Sequence, residues 1–274
     1  MDLALSRPLA RTARWTVART LTAAALLAVL VVFGVSVPAA HAASGPVTSL
    51  ATTESVTPTA PPSPTWAPIG YSVQGRPIHA IRFGSGPNHV LIIAGLHGTE
   101  YGYDVASKLV SYLLANPSAL PAGTQLDVIA SANPDGRAKR RRENARGVDL
   151  NRNFPARNWR RIKKRGATAG PSRGSEPETQ AVMRFMEVGG YSRVISLHSR
   201  GPLVDYDGPG AKNLARRVSR IARIPVVRLA NSRHYYGSMG NWVPERYHIP
   251  VVTIELKNRA LPVRLRSGIL AAVR

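Results

Sequence analysis

The segment His89 to Ala94 reads His-Val-Leu-Ile-Ile-Ala, an apolar run too short for a typical helix and too continuous for a strand with one wet face. Such a run fits a strand buried on both sides, which in turn demands layers of helix above and below the sheet. The rest of the chain repeats the theme. Arg76 to Phe83 alternates enough to be a strand, and Gln125–Ser131, Arg193–Leu197, Val226–Leu229 and Val251–Glu255 read as further strands. Between them, Tyr101–Ala115 places Val105, Leu109, Tyr112 and Leu113 at helical spacing. Ser175-Glu176-Pro177-Glu178 reads as a capping box opening a helix to about Glu187, and Gly210–Ala222 and Pro262–Val273 read as two more helices. This order predicts an α/β sandwich on a largely parallel or mixed sheet. A polar stretch over 132–174 has no periodicity, and a loop of that length in a compact domain usually carries function.

The N-terminus has a different character. Arg7, Arg11, Arg14 and Arg19 precede an apolar run from Leu21 to Val37, and Ala40-His41-Ala42 follows as an Ala-x-Ala site. The pattern is that of an export signal over residues 1–42 with cleavage after Ala42, the other reading being a retained membrane anchor. Residues 43–66, rich in Ser, Thr, Pro and Ala, cannot bury enough apolar area to offset their ordering entropy and read as a linker. The folded domain is expected over 67–274. The expected location is secreted or wall-associated, or membrane-anchored if the first segment is kept.

Composition narrows the chemistry. No cysteine is present among the 274 residues, so disulfides, thiolate metal sites and cysteine nucleophiles are excluded. Lys and Arg number 37 against 15 Asp and Glu, a net charge of +22. Residues 137–173 hold 14 of the basic residues against Glu143 and Asp149, so 14 − 2 gives +12 there. Attraction to an anionic wall polymer or carboxylate-rich peptide is one reading and compositional bias the other. Nucleic acid is not an expected partner, because the cluster carries few aromatic residues and the export signal removes the chain from most of it.

His97-Gly98-Thr99-Glu100 follows the strand that ends at Ala94, and Gly95 permits a sharp turn. A histidine and a carboxylate three apart at such a turn can reach one ion. His198 ends another buried strand and offers a third ligand, so that Zn²⁺ would keep a position open for water. Carboxyl ends of sheet strands are where open α/β sheets place their sites. Each residue alone is also compatible with a structural role, as a helix cap or a core histidine.

Five segments together resemble the zinc carboxypeptidase family, the funnelin-type metallocarboxypeptidases: Gly95–Glu100, Asn133-Pro134-Asp135-Gly136, Gly147–Phe154, Ser196-Leu197-His198-Ser199 and Thr253-Ile254-Glu255-Leu256. They occur in family order across about residues 70–258, and Gly147–Pro155 is most similar to the version in bacterial murein peptide amidases. The resemblance implies an α/β/α sandwich around a mixed, roughly eight-stranded sheet, one Zn²⁺ on His97, Glu100 and His198, and hydrolysis of a C-terminal amide bond.

It also implies roles for other residues. Asp149 would accept a hydrogen bond from the far nitrogen of His97 and fix its tautomer, and its other reading is a turn residue. Glu255 would be the general base, relaying a proton from water to the leaving amine, with a salt bridge to Lys257 as the alternative. Arg152 would grip the terminal carboxylate of a peptide substrate bidentately, with Asn151 assisting. Arg142 would polarise the scissile carbonyl. The lid tyrosine would be Tyr235 or Tyr236. The specificity position falls near Met239 to Asn241, where no carboxylate stands, which argues against a C-terminal Lys or Arg. The leading expectation is a secreted zinc metallopeptidase acting on cell-wall peptides. The alternatives are a general metallocarboxypeptidase, an amino-acid deacylase, or a non-catalytic wall-binding protein of the same fold.

Overall fold

The computed structural model describes residues 63–164, 168–199, 201–229 and 235–274. The expected export signal, most of the expected linker and His234 lie outside the described residues.

Among the described residues, seven strands form one sheet: β1 (Trp66–Tyr71), β2 (Pro77–Phe83), β3 (Asn88–Ala94), β4 (Thr124–Ile129), β5 (Arg193–Ser199), β6 (Leu203–Asp207) and β7 (Val251–Leu256). Their order across the sheet is β1-β2-β4-β3-β5-β7-β6. β3 runs parallel to β4 and β5, and β5 parallel to β7. The pairs β1–β2, β2–β4 and β6–β7 are antiparallel. The sheet is therefore mixed, as expected. Six α-helices lie among the described residues: α1 (Gly102–Ala115), α2 (Pro134–Ala138), α3 (Pro177–Gly189), α4 (Ala211–Ala222), α5 (Met239–Tyr247) and α6 (Val263–Val273).

Alternation along the central strands sorts their side chains into two cores. Val90, Ile92, Ile195, Leu197, Val252 and Ile254 pack with Val105 and Leu109 of α1, Leu214 and Val218 of α4 and Ile269 of α6. Leu91, Ile93, Val194 and Val251 face the other way, onto Val182 and Met186 of α3 and Met239 and Trp242 of α5. Both faces are covered, which accounts for the uninterrupted apolar runs.

Four expectations change in detail. The sheet has seven strands among the described residues rather than roughly eight, because Val226–Leu229 makes only an isolated parallel bridge from Val226 to Val204. The domain's first strand already includes Trp66, one residue before the expected boundary. The capping box at Ser175 does not form: Glu176 is the N-cap residue, and the Ser175 hydroxyl donates to its side chain at 2.7 Å. Pro177 then opens α3, where its missing N–H costs nothing. The long loop is also less bare than expected, since it contains α2 and a 3₁₀ turn over Leu150–Arg152.

Candidate metal centre and active-site cavity

Three carboxyl ends of parallel strands build the site. After β3, Gly95 turns with φ +66°, a left-handed conformation that favours glycine, and its carbonyl accepts from the Asn133 N–H at 2.9 Å. The turn carries His97 and Glu100 into α1. Gly98 lies so close to the loop after β4 that an added Cβ would sit 2.0 Å from the Gly136 carbonyl carbon. His198 and Glu255 are adjacent partners in the parallel β5–β7 register.

Donor atoms of His97, Glu100 and His198 all lie within 4.8 Å of one another. His97 Nδ1 is 2.7 Å from Glu100 Oε1, and His198 Nδ1 is 2.9 Å from Glu100 Oε2. One carboxylate thus bridges two imidazoles by direct contact, and a cation bound there would take these three donors in place of their contacts with one another. Two imidazoles and a carboxylate with a free fourth direction match the donor set of a catalytic zinc site. On the far side of its ring, His97 Nε2 lies 2.8 Å from Asp149 Oδ1. Asp149 is fully buried, accepts from Asn151 N–H, and receives the Arg142 guanidinium at 3.0 Å. Arg142 also reaches Glu100 at 3.4 Å.

The charges set each group's protonation. Burial alone would raise the Glu100 carboxyl, but His198 and His97 hold it well below the usual carboxylate range. Asp149 is treated likewise, with burial opposed by His97, Arg142 and Arg152. Burial would depress the His97 imidazole, yet the charges of Asp149 and Glu100 carry it up to about 9. Glu255 is pushed upward, chiefly by burial, with His198 opposing the shift.

A cavity of about 310 Å³ opens over these groups, lined by His97, Glu100, Arg142, His198 and Glu255. Asn151, Arg152, Tyr235 and Asn241 line it as well. Arg152 is 8% exposed, and its guanidinium lies 5.2 Å from the Tyr235 ring. Asn151 Oδ1 accepts from Met239 N–H at 2.9 Å, leaving its amide nitrogen free to donate. The structure separates the two tyrosines. Tyr235 lines the cavity, whereas the Tyr236 ring lies under the Arg160 guanidinium at 3.4 Å.

Sequence reasoning missed Asp205 and Asp207, which line the same cavity from β6. Asp207 Oδ2 lies 2.6 Å from where a Cβ on Gly240 would stand, so a carboxylate does border Met239–Asn241. It arrives from another strand, and the argument against a cationic C-terminal residue falls with it. Burial and the neighbouring Asp205 push Asp207 up to about 7. The signal that could have found the pair is their i, i+2 spacing on a strand that begins four residues after β5 ends.

With this geometry in place, comparison with known proteins is direct. The model of the zinc carboxypeptidase family matches residues 53–263. Murein peptide amidase A of Vibrio campbellii is 32% identical over 179 residues, covering 61% of this chain and 68% of that protein. The Escherichia coli K12 protein of the same name is 33% identical over 168 residues, covering 56% of this chain and 64% of its own length. The crystal structure of murein-tripeptide amidase from Escherichia coli O157 superposes with a TM-score of 0.59 at 28% identity, over 78% of this chain and 90% of that one. Thrombin-activatable fibrinolysis inhibitor, at 18% identity and a TM-score of 0.65 over 77% of this chain and 67% of its own, shares the fold. The chain belongs to the zinc carboxypeptidase family and is a metallopeptidase of that family's α/β fold.

Proposed function

We propose that the protein is an exported exopeptidase that hydrolyses the C-terminal amide bond of cell-wall peptides, with Glu255 as general base. The observation that carries this reading is that the His97–Glu100–His198 donors, Glu255 and Arg152 line one cavity of about 310 Å³. The likeness to proteins named murein peptide amidase supports the choice of wall peptides, and the basic, Ala-x-Ala-terminated N-terminus supports export.

Zinc held by His97, Glu100 and His198 would supply a Lewis acid and lower the pKa of water. The chain's own residues do the rest. Asp149 holds the Nε2–H of His97, which keeps the Nδ1 lone pair aimed at Glu100 and His198. Arg152 and the Asn151 amide fix the terminal carboxylate, so the last peptide bond lies over the donors. Arg142, anchored on Asp149, presents its remaining N–H groups to the carbonyl oxygen as charge develops there. Glu255, its pKa pushed upward by burial, takes a proton from the attacking water and returns it to the leaving nitrogen. Asp205 and Asp207 favour a C-terminal residue whose side chain carries a cationic group. Tyr235 closes the cavity over Arg152.

Digestion of purified wall peptides, read by mass spectrometry, tests the reading. The expected result is release of the last residue from peptides with a free C-terminus and little from amidated ones. Equal turnover of both would overturn it.

A further inference from the structure

A second cavity, of about 710 Å³, shares only His97 and Glu100 with the first. A peptide whose terminal carboxylate is held at Arg152 has its scissile bond over the metal donors, so the residues before that bond continue past His97 and Glu100. The second cavity is where the shared wall leads.

Its charge is distinctive. Arg76, Arg137, Arg140 and Arg259 line it against Glu100 and Asp104, so 4 − 2 leaves +2. Arg76 is engaged with Asp135 at 2.6 Å and Arg259 with Asp104 at 3.3 Å. Arg137 and Arg140 have no carboxylate partner among the described residues. The Arg137 guanidinium carbon lies 3.2 Å from the centre of the Tyr103 ring, a cation–π contact that ties it to the cavity wall. Arg140 stands in the left-handed backbone region at φ +50°, an unfavourable place for a non-glycine residue. Two guanidinium groups with no carboxylate partner among the described residues thus line one cavity.

We propose that this cleft binds the acyl side of the substrate and selects peptides bearing carboxylates on the residues immediately before the scissile bond. Arg137 and Arg140 receive the carboxylate. The assignment rests on the exopeptidase reading above and adds its acyl-side specificity. A charge-assisted contact of this kind favours the acidic peptide by about tenfold over its neutral isostere.

The test uses two peptides that differ only by Glu or Gln in the position preceding the scissile bond, with the zinc-loaded enzyme at low salt. The expected kcat/KM ratio of Glu to Gln is about ten, falling as ionic strength rises. Arg140→Asn removes the charge with a residue that tolerates the left-handed region, and Arg137→Gln removes the stacked one. Each is expected to bring the ratio close to one, while Arg266→Gln, outside the cavity, leaves it unchanged. A ratio near one in the parent, or one that neither variant moves, overturns the cleft while leaving exopeptidase activity standing. Cleavage of neither peptide defeats the exopeptidase reading instead. Calorimetric binding of both peptides then still decides the cleft, equal affinities refuting it. Binding of a polyanionic wall polymer that displaces both peptides equally would also overturn it.

Discussion

Zinc uptake by this protein must remove a proton from His97, and the structure says how strongly that proton is held. Both ring nitrogens face carboxylates, Nδ1 at 2.7 Å from Glu100 and Nε2 at 2.8 Å from Asp149. Burial opposes protonation, but the two charges outweigh it and place the pKa at about 9. At neutral pH, without metal, the ring is an imidazolium, whereas a ligand must be neutral. Apparent zinc affinity should therefore climb about tenfold per pH unit from 7 and flatten near 9. Over two units that is about a hundredfold, or about 2.7 kcal/mol at roughly 1.36 kcal/mol per unit. Stability of the metal-free fold runs the other way. A raised histidine pKa contributes stability that is complete below the unfolded value of 6.5 and is lost as pH rises through about 9. Asp149→Asn removes the largest charge holding the proton, so its plateau should begin at lower pH. Its plateau affinity should nevertheless fall about 10–100-fold, because the ring loses its orienting carboxylate. Competition against a chelator of known affinity between pH 6.5 and 9.5 measures both effects. Calorimetry in two buffers of different ionisation enthalpy counts the released proton. A flat pH profile, or an inflection unmoved in Asp149→Asn, would refute the argument.

Glu255→Gln keeps the shape of the carboxyl and removes the proposed base, so zinc content and melting temperature should hold while kcat falls by at least about 10²–10⁴. Loss of zinc on elemental analysis would mean that Glu255 is a ligand. Arg152→Ala should chiefly raise KM, and Arg152→Lys should recover only part of the loss, because ammonium lacks the planar fork; an unchanged KM contradicts carboxylate capture. Phe154, fully buried and stacked on Trp242 at 5.3 Å, should cost about 3–5 kcal/mol on change to Ala, read by denaturant unfolding. Gly98→Ala should disturb the loop after β4 through the contact with Gly136 and reduce zinc occupancy, and a variant with full zinc would show that the contact relaxes freely.

Much of this was legible in the chain because strand and ligand coincide. The runs ending at Ala94, Leu197 and Glu255 announce buried parallel strands, and the same ends carry His97, His198 and Glu255. Less visible were the edge elements. β1 pairs on one side only, β6 adds just the bridge from Val204 to Val226 on its outer side, and both carry mixed sequences, Trp-Ala-Pro-Ile-Gly-Tyr and Leu-Val-Asp-Tyr-Asp, whose patterns do not stand out from loops. Asp205 and Asp207 went unnoticed for that reason, and because Asp207 approaches Gly240 from a different strand. The choice between Tyr235 and Tyr236 depended on which ring Arg160 would cover. In the basic segment, composition could not distinguish arginines that line a cavity from those in solvent. Only the turn that places Arg140 and the Tyr103 ring beneath Arg137 does so. Buried Asn144 was equally silent. Its side chain ties Glu176 and Glu178 at 2.8 and 3.0 Å to the N–H groups of Arg146 and Val148, and so supports the loop that carries Arg142 and Asp149.

The pairing of His198 with Glu255 across β5 and β7 means that the distance between a metal donor and the proposed proton carrier is a backbone dimension. Neighbouring strands in a ladder lie about 4.8 Å apart whatever their side chains. Exchanges among Val194, Ile195, Val252 and Ile254 can therefore reshape both cores while leaving the reacting groups in step. Length is a different matter. Deleting one residue inside β7 would turn the strand's alternate faces over, sending Glu255 toward the apolar layer and an aliphatic side chain into the catalytic cavity. In this architecture, divergence by substitution is cheap along these strands, and divergence by insertion or deletion is confined to the loops between them.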